Sequence, residues 1–327
     1  MMNEINNTAE LKKRRRLIRL ELTGGVILLF IILNFLLGGR VLTGQNIISI
    51  IRHAVFPSFV AWGMSFIFTA GIIDLSVGAT IVLAANIGSV AAMEWGWGYW
   101  GLLITAVLAA VICEQLSVRC SVTLKIPSWI SGLGMALIFE SIISVYGSIR
   151  SVTQGNNACT LKSYRIFGTT PLMTIMWIAG FITAYFLLNR TNIGINIQAI
   201  GGNSTVAKQM GINEKKTILI GALIGSVFFG LGAVINISDV SVIYPKSGLA
   251  SLNTIFKSLA VVLLAQGFTK LIDMSAGILV GSIIISALFN ILTLLGVPSG
   301  TGQEMLLGLV VIFCGIISNI KTKEVVK

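Results

Sequence analysis

Gly71-Ile72-Ile73-Asp74-Leu75-Ser76-Val77-Gly78 sets one carboxylate and two glycines between two long apolar runs, 46–70 and 76–93. An ionisable group inside or beside a bilayer is costly to keep, so Asp74 is suspected of a specific task. The flanking runs extend to the whole chain. Of 327 residues, 55% are hydrophobic and 11% charged, against about 25% charged in a soluble domain. Mean hydropathy is +0.92. Lipid, not water, is the expected surrounding. The 35 glycines suit closely packed membrane helices, and only five prolines are present to break them.

A spanning helix needs about 20 mostly apolar residues. Ten stretches qualify: 20–38, 46–70, 76–93, 98–119, 127–147, 171–188, 217–238, 253–269, 275–295 and 303–320. The third, eighth and tenth are marginal in length. The fold class read from them is all-α, polytopic, with about ten spans. Ten divide as five plus five, which leaves room for two inverted halves. The net charge of +11 is distributed as orienting charge and is no nucleic-acid signature. With both termini inside, the inner side collects Lys12 to Arg16, Arg190, Lys208, Lys215 and Lys216, while the outer side keeps Arg40, Arg150, Lys162, Arg165 and Lys246. Residues 1–19 read as a cytoplasmic basic terminus with no cleavage signal, 20–320 as the membrane domain and 321–327 as a cytoplasmic end. Trp95, Trp97, Tyr99 and Trp100 read as an interfacial belt.

Catalytic signatures are missing from the sequence. The single histidine is His53, and no H-E-x-x-H, G-x-S-x-G or G-x-x-x-x-G-K-[ST] occurs. The four cysteines, 113, 120, 159 and 314, lack metal spacing and read as packing residues, so no metal site is expected. Asp74 has two readings: a cap for the following helix, or a contact for a solute or ion. Arg52 and Lys257 fall inside spans, near enough to an end to snorkel. Glu140 is too deep for that and faces a cavity or a partner, either as a pathway residue or as a buried hydrogen-bonded acid. On the inner side, the loop 189–216 offers Ser204 or Thr205 as the cap of a short helix. Ala207, Met210 and Gly211 follow as a small, partly apolar surface flanked by lysines. Such a surface suits either a cleft in a soluble partner or anionic lipid.

Three motifs carry a resemblance. The opening stretch resembles the G-I-D-L-S-V-G signature of the sugar-type permeases, the membrane subunits of ribose-like ABC importers. Thr191, Gly194, Ala199, Ile200, Gly201, Asn203, Ala207, Gly211 and Ile212 resemble that family's cytoplasmic pattern. Leu124-Lys125-Ile126-Pro127, with Gly132 and Gly134 after it, resembles a K-I-P-P-F-I-x-T-L-G stretch; Ser128 and Trp129 replace its second proline and aromatic. The resemblance is good over 40–250 and weak beyond, where Leu264 to Asp273 stands in place of a glycine-rich loop.

The resemblance implies a permease subunit in a bacterial inner membrane that imports a small hydrophilic solute, foremost a monosaccharide. It implies a second permease chain, identical or related, two ATPase subunits that carry ATP and Mg, and an extracellular or periplasmic binding protein. This chain itself binds no cofactor in that scheme. Gly201, Asn203, Ala207, Met210, Gly211 and Ile212 are then the ATPase-coupling residues, and Asp74, Glu140, Arg52, Trp129 and Ser131 the candidates along the solute path. The rival from chemistry is an ion-gradient-driven secondary transporter with Asp74, Glu114 and Glu140 as relay acids. A membrane scaffold or receptor subunit is the non-transport rival.

Overall fold

A computed structural model describes residues 34–35, 38–269, 271–298 and 300–322. The expected first span, the basic N-terminus and the last residues, 323–327, lie outside the described residues, apart from Asn34, Phe35 and Gly38 at that span's end. Among the described residues from Gly44 onward, eleven α-helices follow one another: α1 Gly44–Phe68, α2 Val77–Met93, α3 Gly98–Leu124, α4 Ser128–Gln154, α5 Leu172–Arg190, α6 Asn192–Gly202, α7 Ser204–Gln209, α8 Glu214–Val240, α9 Phe256–Gly267, α10 Met274–Leu294 and α11 Thr301–Thr322. Helices dominate because a chain in lipid must satisfy its own backbone polar groups. Six of them, α1, α3, α4, α5, α8 and α10, are long and apolar enough to cross a membrane; α2, α9 and the stretch Gly302–Ile316 of α11 are shorter apolar helices.

Nine of the ten expected spans overlap helices among the described residues, six of them long and apolar enough to cross a membrane, and one differs in kind. The stretch 253–269 is not one helix. A 3₁₀ turn, Ala250–Thr254, precedes α9, which has 12 residues and is therefore about 18 Å long. That is little more than half of a hydrocarbon core of about 30 Å. The expected fifth span, 127–147, is exceeded, since α4 runs on to Gln154, and the loop that follows holds the 3₁₀ turn Arg165–Gly168. A small antiparallel pair, β1 Cys159–Thr160 and β2 Val242–Ile243, joins this loop to the segment after α8.

The core centres on α1 against α8. Phe59, Trp62 and Phe66 of α1 are fully buried and meet Phe228 of α8. Gly63 and Gly225 let the two backbones close up: a Cβ on either would strike the other's carbonyl oxygen. Around this pair the element order runs twice. A long helix, a non-helical break and a short helix are followed by two further helices: α1, 69–76, α2, α3, α4, and then α8, 241–255, α9, α10, α11. The packing is reciprocal: α2 lies on α3 and α4 as α9 lies on α10 and α11, and α3 packs on α8 as α10 packs on α1. Buried polar contacts fasten α1 to α10, with Ser58 Oγ donating to Ser282 Oγ at 2.7 Å and Trp62 Nε1 to the Ser275 carbonyl at 3.1 Å.

Candidate functional site

The first break, 69–76, carries the opening motif. Asp74 is 3% exposed, and its Oδ1 accepts the backbone N–H of Ser76 at 2.7 Å. The N-cap position of α2 falls on Ser76, which makes no side-chain cap bond, so Asp74 closes the turn before the helix. The break is pinned to α4, where Ser128 Oγ accepts the Ile73 N–H at 3.0 Å. A Cβ on Gly132 would strike Asp74 Oδ1 and the Leu75 N–H, so α4 meets the break at a glycine. Ser131, also buried, donates from its hydroxyl to the Ser117 carbonyl at 3.2 Å. Pro127 takes the N-cap of α4 in an extended conformation instead of its first turn, because helical hydrogen bonding starts with Ser128. Trp129 is exposed.

The second break, 241–255, is longer and is held from the other half of the chain. Glu140, in the middle of α4 and 1% exposed, accepts the Leu249 N–H at 2.8 Å and the Ser251 N–H at 2.7 Å. Its carboxylate thus caps the 3₁₀ turn that leads into α9. Such a cap satisfies two backbone donors that lipid could not. Lys246 is within electrostatic reach of Glu140 and donates from Nζ to Thr254 Oγ1 at 2.7 Å. Asn253 Nδ2 donates to Glu304 Oε1 of α11 at 3.3 Å. The two breaks touch, since a Cβ on Gly78, just past the first, would land on the Ser251 carbonyl oxygen of the second.

Arg52 forms an ion pair with Asp239 at the end of α8. Arg165 donates to the Ser238 and Asp239 carbonyls at 3.2 and 2.9 Å, so α1, α8 and the 3₁₀ turn Arg165–Gly168 are tied at one point. Lys257 lies over the Phe289 ring, 4.2 Å from its centroid. Trp95, Trp97, Tyr99 and Trp100 are all exposed at the α2–α3 turn.

Between the C-terminal ends of α2 and α4 lies a cavity of about 330 Å³ lined by Ser89, Glu94, Arg150, Gln154, Asn156 and Lys162, among others. Arg150 pairs with Glu94 at 3.2 Å, and the Tyr146 hydroxyl donates to the same carboxylate at 3.0 Å. Sequence reading placed Arg150 only as an outer charge. The partner that makes it a site residue, Glu94, is 56 residues away.

The loop 189–216 folds into α6 and α7. The cap of α7 is Asn203, whose side chain accepts the Thr205 and Val206 N–H groups at 3.0 and 3.1 Å. Ser204 and Thr205 do not cap it, because both already lie inside the first turn. Ala207 is buried, whereas Val206 and Met210 project from the same short helix and are exposed. Gly211 has φ +84°, a conformation that favours glycine. Gly201, at the end of α6, leaves no room for a Cβ beside the Thr69 carbonyl. The candidate coupling segment therefore rests directly on the first break.

A family described as branched-chain amino acid transport system / permease component matches residues 46–315. The chain belongs to that family of transport permeases. Among curated relatives, the ribose import permease protein RbsC of Escherichia coli K12 is 28% identical over 284 residues, covering 84% of this chain and 85% of that protein. RbsC of Bacillus subtilis is 27% identical, covering 84% and 85%. The xylose transport system permease protein XylH of Haemophilus influenzae is 23% identical, covering 80% and 85%. No solved structure matches. The likeness to sugar-type permeases read from the three motifs agrees with these relatives.

Proposed function

We propose that this chain is the membrane-spanning subunit of an ATP-driven importer for a small hydrophilic solute, foremost a monosaccharide. The observation that carries the reading is the family match over 46–315, joined by relatives named for ribose and xylose transport. In this reading an external binding protein delivers the solute, a second permease chain completes the pathway, and two ATPase subunits bind ATP and Mg on the inner side. Ten spans with both termini cytoplasmic, in a bacterial inner membrane, fit the distribution of Lys and Arg. The outer cavity of about 330 Å³ is within the usual size of small-molecule sites, roughly 300–1,000 Å³, and its mixed polar lining suits a polyol.

The mechanism follows from the contacts around the first break. Val206 and Met210 present a small apolar surface to a soluble partner, and Gly201 conveys its displacement to Thr69. The break is in turn joined to α4 through Ser128 and Gly132, and to the second break through Gly78. A push on the inner face thus reaches both breaks through backbone contacts, which have little slack. The rival, an ion-driven transporter, draws on one specific observation: Asp74 and Glu114 are buried electrostatic neighbours.

The test is Gly211→Trp beside Gly201→Val. The first places a bulky side chain in a left-handed turn at the docking surface. The second overpacks the Thr69 contact, at a cost of about 1–3 kcal/mol. Both should insert into the membrane at normal levels. Gly211→Trp should lose co-purification of the ATPase and uptake together. Gly201→Val should keep the ATPase but lose uptake. Normal uptake in both variants would remove the coupling role from this segment.

A further inference from the structure

The first break holds a cluster of oxygens that the capping of α2 does not use. Glu114, on α3, is 0% exposed, and neither of its carboxylate oxygens has a hydrogen-bond partner. Ser117, one turn further along the same face of α3, is 1% exposed with an unpartnered hydroxyl. Ser76 and Thr80, one turn apart at the start of α2, are fully buried, and their hydroxyls are unpartnered as well. α2 and α3 run antiparallel, with Gly88 against Leu102 and Ala106, which brings the Ser76–Thr80 turn level with Glu114–Ser117. Asp74 lies between them, within reach of Ser76 and Ser117 and electrostatically coupled to Glu114.

No cationic side chain among the described residues pairs with this cluster. Among the described residues the ion pairs are Arg52–Asp239, Arg150–Glu94 and Lys208–Glu214, none of which involves it. On α3 the titratable neighbours are Cys113, and then Cys120 and the exposed Arg119. α2 contributes none. α4 carries Glu140, Tyr146 and Arg150 towards its far end. α8 carries Glu214, Lys215 and Lys216 in its first turn and Asp239 in its last. Two carboxylates taken out of water without a cation cost several kcal/mol each. Carboxylate and hydroxyl oxygens supply lone pairs, and hard cations take oxygen ligands.

We propose that the space between the first break and α3 is a binding site for one small monovalent cation, held between Asp74 and Glu114 with Ser76, Thr80 and Ser117 around it. The cation is a proton or an alkali metal ion, since either neutralises the same oxygens. Helix breaks at membrane depth hold such cations in other transporter architectures. Occupancy would tie α3 to the break on which Gly201 rests, so the inference applies whichever solute is carried.

The experiment is thermal melting of the purified full-length chain, followed by tryptophan fluorescence. Choline, potassium, sodium and lithium chloride are compared at equal ionic strength, each from about pH 5 to pH 9. If a metal ion is held, sodium or lithium raises the melting temperature over choline by several degrees, and Ser117→Ala weakens that response. If a proton is held, the melting temperature falls as pH rises, because the folded state then binds more protons than the unfolded one. In both cases Glu114→Gln abolishes the response, and its melting temperature matches or exceeds wild type at high pH in choline. Asp74→Asn serves as the second variant if Glu114→Gln does not fold. A wild-type curve whose cation and pH dependence is shared unchanged by the variants overturns the proposal.

Discussion

The two breaks that interrupt the repeated helix order are built to one plan but held differently. The second is anchored across the molecule: Glu140 from α4 receives two backbone donors, Lys246 stands near that carboxylate, and Asn253 reaches Glu304. Its acid is fully engaged. The first is anchored by Asp74 on Ser76 two residues away and by Ser128 of α4 on the Ile73 N–H, and the acid beside it on α3, Glu114, has no hydrogen-bond partner among the described residues. One break is a satisfied joint. The other has an unpartnered acid beside it, and the α6–α7 segment rests on it. The contrast assigns the fixed role to the second break and the responsive role to the first.

The largest expected effect lies at the satisfied joint. Glu140→Leu removes both acceptors and leaves the Leu249 and Ser251 N–H groups unpaired at membrane depth, each costing about 1–3 kcal/mol. Inserted protein and melting temperature should both fall sharply, and Glu140→Gln, which keeps an acceptor oxygen, should fall less. Equal stability of Glu140→Leu and wild type would mean that the second break is not held this way.

Next comes Asp74. Asn is a nearly equal acceptor for a backbone N–H, so Asp74→Asn should leave protein level and uptake close to wild type. Asp74→Leu should reduce both, through lost backbone satisfaction. Uptake normalised to inserted protein separates the readings: an abundant but inactive Asp74→Asn would make the charge itself essential and sharpen the difference between the breaks. The smallest effect is expected upstream of the second break. The Arg52 side chain is 42% exposed, so Arg52→Met should cost about 0.2–1 kcal/mol and change uptake little. A large loss of stability there would show that the second break also depends on the end of α8.

Most helices were legible because apolar runs in lipid have one way to satisfy their backbone. The bounds expected for 46–70, 98–119 and 275–295 fall within a few residues of α1, α3 and α10 at nearly every end. The exceptions are instructive. The eighth span was expected from 253, but helix begins at Phe256 after a 3₁₀ turn; Pro245, Gly248 and a short apolar run were the available signals. That Glu140 needed a partner was readable from its depth. That the partner was backbone more than 100 residues away was not, because nothing local encodes a contact between α4 and 249–251. Arg52 is the same case, since Asp239 is separated from it by 187 residues. The segment 203–211 was readable as a short capped helix. Which of its residues face inward was not, and Ala207 went to the core while Val206 and Met210 went to solvent.

The central claim, that this chain passes a solute for an ATPase it does not contain, is tested most directly in sealed vesicles. The chain is reconstituted with its ATPase and binding protein, and uptake of labelled monosaccharides is followed with and without ATP and with an uncoupler. The account predicts uptake of at least one sugar that requires ATP and both partners and persists in the uncoupler. Uptake by this chain alone, driven by an ion gradient and abolished by the uncoupler, would contradict it.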